Sequence, residues 1–166
     1  QQKDKAGNWV EPFDPLSGNG FTEADSWQYT WFVPQDVCGL ITAMGGKAKF
    51  VTKLDEFFAK KYFTIDNEPD FHTPWLYDFA GETSKTSDRV HKVMADAYTT
   101  GPGGLPGNDD AGATSAWLVF AAMGIYPVNP PDTRYWMNAP LFSKVTIHTD
   151  PRDWGKKFVI NANGAP

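Results

Sequence analysis

The chain has 166 residues, of which 41% are hydrophobic and 15% aromatic, so it can bury a core and is not an intrinsically disordered protein. Its formal net charge of -5, without any run of basic residues, argues against nucleic acid as a partner. The longest apolar stretch, AWLVFAAMGIY, is too short to span a bilayer, so we expect no membrane segment.

Helical patterns dominate most of the chain after a Gly-, Pro- and Asp-rich loop formed by the first twenty residues. Thr22 and Asp25 have the spacing of a capping box, which predicts a first helix over WQYTWF. A second helix is predicted after Pro34 and ends at Gly45. It contains the sole cysteine, Cys38, whose apolar neighbours predict a buried side chain that cannot form an internal disulfide.

Four more helices follow. The third has the clearest pattern, because apolar residues recur at helical spacing at Phe50, Val51, Leu54, Phe57 and Phe58. Thr73 followed by Pro74 marks the start of a fourth, which Gly81 ends. The last two are predicted over 84–98 and 114–123.

The hydrophobic period changes from helical to alternating after Pro130 and Pro131. RYWMN, KVTIHT and KFVIN predict three strands separated by turns. Helix pairs joined by alternating long and short loops are typical of an α/α toroid. The sequence therefore predicts a mainly α protein with a β segment at its C-terminal end.

Carboxylates and amides concentrate in three loops, TEADSWQYTW, IDNEPDFHTPWLY and LPGNDDAG, each at the N-terminal edge of a predicted helix. If the helix pairs surround a centre, these loops meet over one cavity, where catalytic groups are usually found. Each loop also has a structural explanation. The residues concerned are first-turn acids (Glu23 and Asp25), turn residues with a cap (Asn67, Glu68 and Asp70), and a turn with a cap (Asp109 and Asp110).

Metal sites of two common kinds are excluded. DNEPD resembles the opening of a calcium loop but lacks the glycine and the closing glutamate of an EF-hand. The three histidines, His72, His91 and His148, do not have a zinc spacing. A hard cation bound through oxygen stays open, because Gln28, Asn67, Glu68 and Asp109 all carry oxygen donors.

Three long motifs, in this order, closely resemble the signature stretches of the glycoside hydrolase family 92 α-mannosidases: EADSWQYTWFVPQDVCGLI, DNEPDFHTPWLYDFAG and LPGNDDAGATSAWLVFAAMGIYPVNP. The resemblance covers only the later part of the family's catalytic unit. It implies that 1–130 form the closing helices of an (α/α)6 toroid and that 131–166 begin a C-terminal, β-sandwich-like domain. The remainder of the same enzyme is then an expected partner, and the isolated chain is expected to be inactive.

The activity that this resemblance implies is that of a calcium-dependent, inverting exo-α-mannosidase, secreted or periplasmic, which releases terminal α-linked mannose from mannose-containing glycans. An inverting glycosidase holds a general acid and a general base about 6.5–9.5 Å apart. Glu23 matches the family's acid and Asp110 its base, and Asn108 occupies a place where some relatives carry a further aspartate.

The same resemblance implies the remaining site residues. Ca²⁺ is expected among Gln28, Asn67, Glu68 and Asp109, and His72 matches a sugar-contacting position. Trp27 and Trp75 are expected either to wall the pocket or to lie in the core.

Two departures from the family motifs affect the same loops. Ala24 stands in EAD where the family usually has the glycine of EGN, and Asp66 replaces the usual glycine before NEP. An alternative function is a non-catalytic, calcium-dependent carbohydrate-binding module. Such a module needs no paired acid and base, so the presence of both Glu23 and Asp110 favours the enzyme.

Overall fold

The computed structural model describes residues 1–150, 152 and 157–164, and this part of the chain is mainly helical. Its α-helices are α1 (Ser26–Tyr29), α2 (Val37–Ala43), α3 (Lys47–Ala59), α4 (Leu76–Ala80), α5 (Thr83–Ala97) and α6 (Ala113–Met123). Short 3₁₀ turns cover Pro34–Asp36, Glu68–Asp70 and Thr73–Trp75. Four short strands follow α6: β1 (Ile125–Tyr126), β2 (Trp136–Met137), β3 (Lys144–Ile147) and β4 (Phe158–Asn161).

The predicted amphipathic helices are present with the predicted buried faces. In α3 the buried residues are Phe50, Leu54 and Phe57, at a spacing of four and three residues. In α5 the buried face is formed by Thr86, Val90, Val93 and Met94. Helix α4 ends at Gly81 and α6 at Gly124, as the sequence predicted. No described helix has the length and apolar character needed to cross a membrane.

Three local predictions near the N-terminal helices were wrong. The first helix does not begin with a Thr22 capping box, because Asp25 itself caps α1 and accepts hydrogen bonds from the backbone N of Trp27 and of Gln28. Helix α1 is also much shorter than predicted, with four residues. Cys38 is exposed rather than buried, since α2 turns Val37 and Ile41 inwards instead.

Two clusters of buried side chains form the core. The first cluster joins α2, α3 and α4 and consists of Trp31, Val37, Ile41, Phe50, Leu54, Phe57, Leu76 and Tyr77. The second cluster joins α5, α6 and the segment before α4, and consists of Ile65, Phe71, Trp75, Val90, Val93, Met94, Trp117, Ala121 and Val128. Phe63 and Phe79 pack against both clusters and so connect them.

The strands form two antiparallel pairs. In the first, Ile125 lies opposite Met137 and Tyr126 opposite Trp136. Strand β1 was not predicted, because two residues directly after a helix give no alternating pattern. In the second pair, β3 and β4 lie side by side over four residues each. Residues 151, 153–156 and 165–166 of the predicted β domain lie outside the described residues, and the division at residue 130 stays a prediction.

Candidate functional site

The three polar loops meet around one cavity of about 410 Å³. The first segment, 23–28, leads into α1, the second, 64–67, follows α3, and the third, 108–110, leads into α6. The residues that line the cavity are Glu23, Ala24, Gln28, Thr64, Asp66, Asn67, Asn108 and Asp110. The convergence expected from the position of the loops at helix starts is therefore present.

The first segment reaches the cavity through a sharp turn before α1. Ala24 has φ 61, in the left-handed region where a residue with a Cβ is strained. The next residue, Asp25, caps α1 through its side chain. Together the turn and the cap place Glu23 before the helix and Gln28 on its first turn, both facing the same cavity.

The second segment is connected to the first through Asp70. The fully buried Asp70 carboxylate accepts hydrogen bonds at Oδ2 from the Thr64 backbone N at 2.9 Å and from Gln28 Nε2 at 3.1 Å. Burial raises the pKa of Asp70 to about 7, although these two hydrogen bonds lower it. Nearer the cavity, the Thr64 hydroxyl donates to the Asp66 carboxylate.

The third segment approaches the second at Gly107. A Cβ built on Gly107 lies 2.8 Å from the Asp66 Cβ and 3.0 Å from the Asp66 carbonyl oxygen, closer than ordinary contacts allow. Gly107 also has φ +70, a conformation that favours glycine. The absence of a side chain at this position therefore lets the two loops come together.

The start of α6 separates the roles of the two neighbouring aspartates. Asp109 accepts hydrogen bonds from the Ser115 backbone N at 2.8 Å and from the Ser115 hydroxyl at 3.1 Å, so both of its carboxylate oxygens serve the first turn of the helix. Thr114 donates to the Asn108 carbonyl oxygen at 2.9 Å. Asp110, in contrast, has φ 41 and lines the cavity. The hydrogen bonds of Asp109 thus agree with the structural explanation, whereas Asp110 lies where the functional explanation requires it.

Oxygen donors make up almost the whole cavity wall. It contains three carboxylates (Glu23, Asp66 and Asp110), three amides (Gln28, Asn67 and Asn108) and one hydroxyl (Thr64), and the described part of the chain contributes no lysine, arginine or histidine to it. Such a wall suits a polyhydroxylated ligand or a hard cation, and it disfavours anions.

Several residues that the sequence placed at the site lie elsewhere. His72 is buried with 4% exposure, and its Nε2 lies 2.8 Å from the Trp31 carbonyl oxygen. Because a carbonyl oxygen can only accept, this contact requires the tautomer with a proton on Nε2. Burial lowers the pKa of His72 to about 4, so the ring is neutral at neutral pH. The structure thus gives this histidine a place in the packing of the core rather than in the cavity wall.

The two tryptophans also lie outside the cavity wall. Trp75 is fully buried in the second cluster, where its ring stacks on Tyr126 at 4.2 Å. Trp27 is half-buried against Phe57, with the Lys53 ammonium 4.2 Å from its ring centre. Of the two alternatives for these residues, the structure supports the core position.

The predicted calcium ligands divide into two pairs. Gln28 and Asn67 line the cavity, whereas Glu68 and Asp109 do not. Across the described residues, no group of three or more His, Cys, Asp or Glu side chains is close enough to hold a metal ion. The chemistry of the lining still fits calcium, which binds amide and carboxylate oxygens together. A cation here would depend on the amide oxygens of Gln28 and Asn67.

Sequence reasoning missed three residues around the cavity. Thr64 lies just before the loop that the sequence singled out, Asp66 was noted only as a replacement for the family's usual glycine, and Asp70 was taken as a cap for the segment that follows. The signal for Asp70 was its position between Pro69 and Phe71, where an apolar context makes a carboxylate unusual.

Comparisons with known proteins identify the family and the fold. The sequence profile of the glycosyl hydrolase family 92 catalytic domain matches residues 1–166. A protein of Arthroderma benhamiae, described as an uncharacterized secreted glycosidase, is 38% identical over 125 residues, which are 75% of this chain and 16% of that protein.

Solved structures give the same result. A family GH92 α-mannosidase of Bacteroides thetaiotaomicron matches 98% of this chain with a TM-score of 0.87 and 34% identity, and the chain spans 22% of it. The complex of that enzyme with mannoimidazole gives a TM-score of 0.86 and 31% identity over 98% of this chain and 24% of that one. A family GH92 inverting mannosidase of the same organism gives a TM-score of 0.82 and 35% identity, over 99% of this chain and 25% of that one. The predicted fold class, toroid helices followed by β strands, is confirmed.

Proposed function

The chain belongs to glycosyl hydrolase family 92, and from this premise we propose that the protein is a calcium-dependent, inverting exo-α-mannosidase. It releases terminal α-linked mannose from glycans. One observation carries the proposal: Glu23 and Asp110, from two separate helix-entry loops, line the same cavity. The chain spans 16% of the curated relative and about a quarter or less of the matched structures, so the activity proposed is that of the whole protein.

Glu23 is the general acid of the proposed reaction and protonates the leaving glycosidic oxygen. Asp110 is the general base and removes a proton from the water that attacks the anomeric carbon from the opposite side. Asn108, beside Asp110 in the cavity wall, hydrogen-bonds the sugar or the attacking water. The separation of the two carboxyl groups, about 6.5–9.5 Å for an inverting enzyme, stays a prediction.

Calcium is part of the proposal because the cavity wall consists of hard oxygen donors. Gln28 and Asn67 would hold it, and when bound it would chelate two neighbouring sugar hydroxyls and ease distortion of the ring. The residues of the chain supply the proton transfers. Three carboxylates and, among the described residues of the wall, no cationic side chain favour neutral sugars over phosphorylated ones.

Two relatives support the class of substrate and the compartment. One solved relative is an α-mannosidase that binds mannoimidazole, and the curated relative is described as secreted. We extend both properties to this protein, as a secreted enzyme that acts on mannose-containing glycans.

The acid and the base can be tested separately in the full-length protein. Glu23→Gln should lower kcat for an α-linked mannobiose by about 10²- to 10⁴-fold but much less for a nitrophenyl α-mannoside, whose leaving group needs little protonation. Asp110→Asn should lower kcat for both substrates. Glu82→Gln is the matched control, because Glu82 is an exposed glutamate outside the cavity wall.

The stereochemistry and the metal complete the test. Proton NMR during early turnover should show β-mannose as the first product, and chelation should abolish hydrolysis, with calcium restoring it better than magnesium. Retention of configuration, or full turnover after chelation, would refute the proposed mechanism. Binding of mannose in a calcium-dependent way without any hydrolysis would instead indicate the carbohydrate-binding module.

A further inference from the structure

Asp70 lies behind the cavity wall and contacts two of its members. Its side chain is fully buried, with 0% exposure, and Oδ2 accepts hydrogen bonds from Gln28 Nε2 and from the Thr64 backbone N. Gln28 and Thr64 both line the cavity, and they belong to two different segments. A single carboxylate oxygen therefore fixes the start of α1 relative to the loop after α3.

The contact with Asp70 determines which end of the Gln28 amide faces the cavity. Gln28 is 8% exposed, and its nitrogen donates to Asp70 Oδ2 at 3.1 Å and lies 3.4 Å from the Thr64 hydroxyl. Because Asp70 Oδ2 accepts a hydrogen bond from the Gln28 nitrogen, the nitrogen end of the amide faces Asp70 and the carbonyl oxygen points away from it. That oxygen has no hydrogen-bond partner within the described residues, and it is the end that can bind a cation.

We propose that Asp70 is a positioning residue that holds the Gln28 amide with its carbonyl oxygen towards the cavity, ready to bind the cation. The identity of that ligand rests on the proposed function, whereas the orientation of the amide does not.

A purely structural role explains Asp70 less well. Its second oxygen, Oδ1, is buried without a hydrogen-bond partner among the described residues, which costs folding free energy. We therefore expect Asp70 to serve the cavity by ordering the Gln28 side chain. Groups that hydrogen-bond to metal ligands commonly orient those ligands in this way.

Two substitutions separate the acceptor from the charge. Asp70→Leu removes the acceptor but keeps the branched arrangement of heavy atoms, and Asp70→Asn keeps an acceptor oxygen without the charge. In the metal-free, full-length protein, calorimetric titration with Ca²⁺ should show about 10- to 100-fold weaker binding for Asp70→Leu. Asp70→Asn should stay within about three-fold of the wild type, because a neutral acceptor still holds the Gln28 nitrogen. Should Asp70→Leu not fold, Asp70→Ala replaces it.

A double-mutant cycle shows whether Asp70 acts through Gln28. In a Gln28→Ala background, Asp70→Leu should cause no further loss of calcium affinity, because the group that it positions is absent. Unchanged calcium affinity in Asp70→Leu would overturn the proposal. A loss of calcium affinity in Asp70→Asn as large as that in Asp70→Leu would also overturn it, because the effect would then come from the charge. Full additivity of the two substitutions in the cycle would overturn it as well.

Crystal structures of the metal-free variants decide the proposal independently of calcium. In Asp70→Asn the Gln28 side chain should stay within hydrogen-bond distance of the residue at position 70, and in Asp70→Leu it should leave its wild-type position. A Gln28 side chain in the same place in all three proteins would overturn the proposal. If the wild type binds no calcium, the proposed function fails, and these structures still decide the role of Asp70.

Discussion

Gly107→Ala tests whether close approach of the second and third segments makes the site. A Cβ at this position would lie 2.8 Å from the Asp66 Cβ, whereas ordinary contacts begin at 3.4 Å. The loops must therefore separate by about 0.6 Å to restore an ordinary contact, and Asp110 lies three residues away on the loop that moves. Since a displacement of about 1 Å in an active site can lower the rate about 100-fold, a loss of about ten-fold in kcat/KM is expected.

The matched control for this substitution is Gly81→Ala. Gly81 has φ +90, so alanine is strained there as well, but nothing lies within 4 Å of the added Cβ and the residue is outside the cavity wall. Both variants should lose about 1–2 kcal/mol of unfolding free energy to backbone strain. Gly107→Ala should lose a further 1–3 kcal/mol, approximately, through the steric conflict with Asp66.

The assays are urea unfolding and steady-state kinetics on an α-mannoside, with the full-length protein. Gly81→Ala should keep the wild-type kcat/KM. The reasoning is wrong if Gly107→Ala is as active as the wild type and no less stable than Gly81→Ala. It is also wrong if both variants lose activity equally, because the loss would then come from general destabilisation.

Three further predictions concern single residues around the site. Because burial lowers the pKa of His72 from 6.5 to about 4, the unfolded chain binds a proton there at a higher pH than the folded one. Stability should fall by about 3 kcal/mol as the pH drops through this window, and His72→Gln should remove that part of the pH dependence in thermal or urea unfolding. Ala24→Gly should stabilise the fold by about 0.5–1 kcal/mol in urea unfolding, since φ is 61, while Ala48→Gly within α3 should destabilise it by a similar amount. Asp109→Ala should cost about 1 kcal/mol of stability through loss of its bonds to Ser115 and leave calcium affinity unchanged. Calcium binding about ten-fold weaker in Asp109→Ala would instead show that Asp109 is a metal ligand.

The sequence predicted those features of the fold that follow from local patterns. The buried faces of α3 and α5 follow from residues such as Phe50, Leu54 and Val90 at helical spacing, and the ends of α4 and α6 from Gly81 and Gly124. Strand β1 was missed because its pairing with β2 is a long-range contact that two residues cannot encode.

The sequence also predicted which loops form the site, but not which side chains face it. Asp109 and Asp110 are chemically identical neighbours, and only the left-handed backbone at Asp110 and the bonds from Ser115 assign them different roles. Likewise, nothing local shows that His72 lies against the Trp31 carbonyl, 41 residues away. Such assignments depend on tertiary contacts, which residue types and spacing do not specify.

The two clusters of the core have a consequence for how the proposed enzyme could be altered. Glu23 precedes α1, whose Trp27 packs on the first cluster, whereas Asp110 precedes α6, whose Trp117 belongs to the second. Phe63 and Phe79 pack against both clusters and so connect the parts of the core that support the two proposed catalytic carboxyl groups. Substitutions that resize these two aromatic side chains offer a way to vary the spacing of the two carboxyl groups while the cavity wall keeps its own residues.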